Sequence, residues 1–116
     1  MPEIKLEIGQ EVILVFFHKK LNNDINLIFK CQVEKVEIMN ISGDLNKPIP
    51  EVFYSLKYVC CLNDPKWDKE NPGNFVTRFR TSNKCIDSEN QGKFIYPFWC
   101  CPVFTTKSKY IEWVNQ

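Results

Sequence analysis

The 116-residue chain has no alanine, only two arginines (Arg78 and Arg80), a single histidine (His18) and four glycines. Each shortage excludes something. Alanine is the strongest helix former, so its absence, beside abundant Ile, Val, Phe and Tyr, favours strands over helices. One histidine leaves cysteine-based catalysis a single candidate base, and His18 sits beside Lys19 and Lys20 in a polar stretch with nothing tying it to a particular thiol. Four scattered glycines build no phosphate-cradling loop. No apolar run approaches the ~20 residues that span a bilayer. The first ten residues carry Glu3, Lys5 and Glu7 where an export signal needs an apolar run, so a soluble, cytoplasmic protein is expected. A formal net charge of +1 supplies no global field toward nucleic acid or acidic membranes.

What is present is a core. The chain is 44% hydrophobic and 14% aromatic, with nine Phe, four Tyr and three Trp, enough to fill one domain over residues 1–116. Ile4 to Ile8 alternates apolar and charged residues, which predicts a short half-buried strand ended at Gly9-Gln10. Val12 to Phe17 is apolar at every position, the pattern of a strand covered on both faces. Leu27, Phe29, Cys31 and Val33 alternate with polar residues, after which Val36 and Ile38 carry the apolar face one position out of phase. A one-residue slip in a period of two predicts a β-bulge that bends the strand. Val52, Tyr54, Leu56, Tyr58, Cys60 and Leu62 are expected to share one face of the next strand, and Phe75 to Arg80 to form another with a basic second face. Gly, Asn and Pro mark loops at 42–50, 63–74 and 81–92. Lys93 to Cys101 reads as one apolar closing strand, followed by Val103-Phe104 and a helical turn capped by Thr105 or Thr106. Tyr110, Ile111 and Val114 are expected to press that turn onto the sheet.

These elements predict a mostly β protein: a small, bent SH3-like barrel of five or six strands with a short C-terminal helical turn, an OB-like barrel or small sandwich being the competitor. Ile8-Gly9-Gln10-Glu11-Val12, the bent strand through Val33 and Val36, and Val103-Phe104-Thr105-Thr106-Lys107 with Trp113 resemble small SH3-like proteins of phages and bacterial mobile elements. The resemblance covers the first and last quarters of the chain. It implies a fold and a mobile-element origin, and it brings no catalytic residues or cofactor.

Six cysteines, Cys31, Cys60, Cys61, Cys85, Cys100 and Cys101, invite a metal reading, yet none forms the Cys-x2–4-Cys knuckle that structural zinc uses. The pairs Cys60-Cys61 and Cys100-Cys101 are vicinal, and neighbours on a strand point to opposite faces. Buried core thiols account for the same residues, so no metal and no cofactor is expected.

Two binding readings remain. Trp67, Trp99, Phe98 and Tyr54 are candidate anchors for protein–protein contacts, since aromatic anchors dominate interface energies. Phe16-Phe17, Phe98-Trp99 and the cysteine pairs put apolar side chains on both faces of three strands, which points to another protein or a second copy as the cover. Arg78, Arg80, Lys84 and Lys93, with Trp67 as a stacking platform, form the alternative: a surface for nucleic acid. The expectation is a non-catalytic protein-binding module, and the resemblance implies a phage or mobile-element accessory protein that occupies a host protein.

Overall fold

A computed structural model describes residues 2–17, 27–64, 66–67, 78–87, 94–95, 98–99 and 102–115. The protein is mostly β. Strands β1 (Glu11–Phe17), β2 (Leu27–Asn40), β3 (Pro50–Cys61), β4 (Arg78–Ser82) and β7 (Val103–Phe104) form one open antiparallel sheet in the order β4-β3-β2-β1-β7. A separate two-residue pair joins β5 (Phe94–Ile95) to β6 (Phe98–Trp99). A 3-10 turn, Asn83–Cys85, follows β4, and one α-helix, α1 (Lys107–Val114), follows β7. The ladder does not close into a barrel, although one parallel bridge, Ile86 to Val103, draws its two edges together at a single point. No helix among the described residues is long and apolar enough to cross a membrane.

The bulge expected between Val33 and Val36 is present. Val33 opposes Leu56 and Lys35 opposes Ser55, leaving Glu34 as the extra residue. A second bulge, at Val59, was not legible. Cys31 opposes Tyr58 while Lys30 opposes Cys60, so the phase of β3 slips and Cys61, not Cys60, packs on the core. Leu62, expected on the core face, is half exposed. Tyr58 to Leu62 is nearly all apolar, and a uniform run carries no phase.

The main core lies on one face of the sheet and contains Val12, Leu14, Phe29, Cys31, Val33, Val52, Tyr54 and Leu56. The other face of β1 is covered from within the chain. Val15, Ile28, Phe104 and Trp113 form a second cluster, with Ile13, Tyr110 and Val114 packed against it. The apolar character of β1 on both faces therefore calls for no partner. Within α1 the expected contact face needs one correction: Trp113 is buried and Ile111 is 43% exposed. Thr106 is the N-cap, its Oγ1 accepting from Lys109 N–H at 3.2 Å. Thr105 instead donates through N–H and Oγ1 to the Asp87 carboxylate, at 2.9 and 2.7 Å.

Three further expectations change. Ile4 to Ile8 is not a strand: only Leu6 is buried, and Ile4 and Ile8 face solvent. Its Lys5 and Leu6 N–H groups donate to the Tyr54 phenol instead of to a ladder. The stretch 81–92, expected as loop, begins with two residues of β4 and the 3-10 turn. The apolar run from Lys93 is not one strand, because Phe94 pairs with Trp99 and Ile95 with Phe98, so it doubles back on itself.

Candidate functional site

The sheet is uneven, and the unevenness makes an arm. β1 accompanies β2 only over Leu27 to Gln32, and β4 accompanies β3 only over Phe53 to Lys57. Past both, β2 and β3 continue together, Ile38 to Asn40 against Pro50 to Val52. The long β2 owes its reach to the bulge at Glu34, which re-phases its apolar face so that Val36 still packs on the core.

The arm ends in a tied loop. Asn40 Oδ1 accepts from Ser42 N–H and Ile49 N–H, each at 3.0 Å. Asp44 N–H donates to Ser42 Oγ at 3.0 Å, and Asn46 N–H donates to Asp44 Oδ1 at 2.9 Å. Ile41 N–H reaches Ile49 O, Lys47 N–H reaches Asp44 O, and Gly43 takes the left-handed turn at φ 71°. Met39 and Ile41 pack beneath on Phe53 and Cys85. This fixed loop holds Leu45 90% exposed, with Ile49 at 54% and Ile38 at 43% along the same arm. Single exposed apolar residues are ordinary. Three on a loop and arm whose backbone is already tied would lose little further entropy on being covered.

The anchors proposed from sequence lie elsewhere. Tyr54 is fully buried, which leaves it no surface to offer a partner. Its hydroxyl accepts from Lys5 N–H at 2.9 Å and donates to Asn83 Oδ1 at 2.6 Å, while Asn83 Nδ2 donates to Glu3 O. Trp67 is half-buried against Phe29, ring centroids 5.8 Å apart, so it finishes the core instead of standing out as a platform. The side chains of Phe98 and Trp99 lie outside the described residues, as do Lys93, His18, Cys100 and Cys101.

Burial lifts the Tyr54 phenol above its ordinary pKa, against the opposing pull of the two N–H donors, with the nearby charges of Glu51 and Glu3 adding to the rise. The unfolded phenol ionises near pH ~10. The stabilisation is therefore complete below that pH and falls as pH climbs from there toward the higher folded value. Tyr54→Phe is expected to cost about 1–3 kcal/mol in urea unfolding, because the Lys5 N–H and Asn83 lose a buried partner. It should also shrink the alkaline loss of stability, Tyr110, likewise raised by burial, supplying a remainder of the same sign. An unchanged midpoint and an unchanged alkaline limb would show the phenol to be idle.

The basic stripe is matched by acids. Arg78 Nε meets Glu34 Oε2 at 2.8 Å, reaching over β3 to β2, and Arg80 lies 3.7 Å from Glu37. Lys35 is 3.3 Å from the same Glu37 carboxylate. Lys84 is exposed on the 3-10 turn. The face thus mixes both signs and lacks the one-signed field that phosphate contacts use.

Cys31 lies in the main core and Cys85 in the cluster beneath the arm, both buried; Cys60 and Cys61 are half-buried. Among the described residues no three His, Cys, Asp or Glu side chains converge where they could hold a metal ion. A groove of about 300 Å³ runs between α1 and the sheet, lined by Ile13, Ile28, Leu62, Asn63, Lys107 and Tyr110. Asn63 Oδ1 there already accepts from Ile28 N–H at 3.0 Å. No family model, curated protein or solved structure matches the chain.

Proposed function

We propose that this protein is a small SH3-like barrel acting as a non-catalytic binding module, and that its contacts with other proteins are made by the β2–β3 arm. The observation carrying the reading is Leu45, held 90% exposed by a loop whose backbone is tied by side-chain hydrogen bonds. Burying one such leucine contributes about 1.5–3 kcal/mol, enough to make it an anchor once ordering costs are already met. The small-barrel assignment draws support from the bent β2, the return of the last strand to the flank of β1, and the one-point approach of the sheet edges. The similarity of the chain's ends to SH3-like proteins of phages and mobile elements extends the proposal to an accessory protein that occupies a host protein. The nucleic-acid reading through Arg78, Arg80, Lys84 and Lys93 is the lesser one, since Glu34 and Glu37 already meet the two guanidinium groups.

A photoreactive amino acid installed at position 45, and separately at the exposed Lys57 on the charged face, tests the reading in cells. Discrete adducts from position 45 and none from position 57 are expected. Equal labelling from both, or none from 45, would remove the arm as the binding surface.

A further inference from the structure

We propose that the free edge of β2 pairs with the same edge of a second copy, around a two-fold axis at Ile38. The proposal rests on the protein-binding reading of the arm and names one partner for it. Val33 exchanges backbone hydrogen bonds sideways, its N–H donating to Gln10 O and its C=O accepting from Gly9 N–H. Backbone groups alternate sides along a strand, and the extra residue Glu34 shifts that alternation by one. Val36, Ile38 and Asn40 therefore turn their N–H and C=O groups away from β3. Among the described residues, β2 from Glu34 to Asn40 has β3 as its only strand neighbour. An unpaired run of this kind is a template for another strand.

The three outward positions are symmetric about Ile38, which selects the register. Antiparallel pairing across a two-fold at Ile38 sets Ile38 against Ile38 of the second copy, and Val36 and Asn40 against the second copy's Asn40 and Val36. Every outward backbone group is then paired. A two-fold at Glu37 would place two like carboxylates directly opposite each other, which destabilises a pair. A two-fold at Val36 or earlier would drive each tip loop into the lane that Gly9 and Gln10 occupy beside Val33.

The ends fit as well as the centre. At the Ile38 register Ser42 and Gly43 of each tip come level with Glu34 and Val33 of the other copy, where the Gly9–Gln10 turn begins. Leu45, 90% exposed, lies in that tip and Ile8, 69% exposed, in the stretch before Gly9, while Ile38, 43% exposed, sits on the axis. Ile38 and both sets of outward backbone groups are met by one symmetric contact, which is why a second copy fits this edge better than an unrelated strand.

Ile38 faces itself across the axis, so charge at that position gives a direct test. Ile38→Lys and Ile38→Glu proteins are each expected to dimerise at least about tenfold more weakly than wild type, by like-charge apposition. Mixing the two should restore the dimer mass in light scattering, which an effect on folding alone would not do. Unchanged circular dichroism checks that both variants fold. In the wild type, amide exchange at Val36, Ile38 and Asn40 should slow as protein concentration rises. A wild type that stays monomeric, variants that remain dimeric, or a mixture that does not recover would each overturn the proposal. A monomer whose position 45 still captures a different protein would sink the pairing and leave the binding reading standing; a dimer with no adducts at 45 would do the reverse.

Discussion

Replacing Phe29 by alanine is expected to remove about 3–5 kcal/mol of stability, the range for deleting a large aromatic side chain from a packed interior. Phe29 has no solvent exposure and is the hub of the main core. Its ring stacks on Phe16 at 5.3 Å, meets Tyr58 edge-on at 4.9 Å, and lies 5.8 Å from both Trp67 and Phe79. These neighbours come from β1, β3, β4 and the segment after β3, so no single element can shift to fill the cavity. Domains of this size have only about 5–15 kcal/mol in hand, and the loss would leave a large unfolded fraction at physiological temperature. Urea unfolding followed by tryptophan fluorescence measures it, with Phe29→Leu as the milder control. A loss below about 1 kcal/mol would mean that the rings re-pack and that the hub is not required.

Trp113→Ala is expected to act in a different place. Trp113 is 5% exposed and seats α1 on the sheet, its ring 5.4 Å from Phe104 and 6.3 Å from Tyr110. A helix of eight residues is too short to persist without tertiary contacts. Loss of the indole should therefore melt α1 and bare Ile13, Val15 and Ile28, at a cost of about 3 kcal/mol or more. The main core sits across β1 from this cluster and should outlast it. Amide exchange is the discriminating measurement: Tyr110 and Ile111 should lose protection while Leu14 and Phe29 keep theirs, and binding of a hydrophobic dye should rise. Helix amides that stay protected would show Phe104 and Tyr110 to be a sufficient seat.

The sequence was most informative where polar residues break an apolar alternation. Lys30, Gln32 and Glu34 set the phase of β2 so clearly that a single misplaced residue betrayed the bulge. Where the alternation is absent, the reading failed. Val59 hides its bulge in an apolar run, and the uniform β1 suggested a partner when α1 was the cover. Ile4 to Ile8 alternates well but finds no strand beside it, because its N–H groups are drawn to the Tyr54 hydroxyl. Tyr54 and Trp67 looked like anchors since aromatic residues serve interiors and interfaces alike, and composition does not separate the two. Leu45, the residue that carries the functional reading, sits in a loop stretch where no periodicity singles it out.

By itself, then, the sequence determined the β class, the bent second strand, the loop at 42–50 and the threonine-capped helical end. These follow from local rules: backbone propensity, alternation with period two, and capping chemistry act over a few residues and are written in them. Only the tertiary structure decided which apolar faces are already covered, that the acids of β2 meet the arginines of β4, and that β2 and β3 outrun the strands beside them among the described residues to leave an arm. Those outcomes depend on residues far apart in the chain, and a surface is what remains after distant segments have chosen their partners.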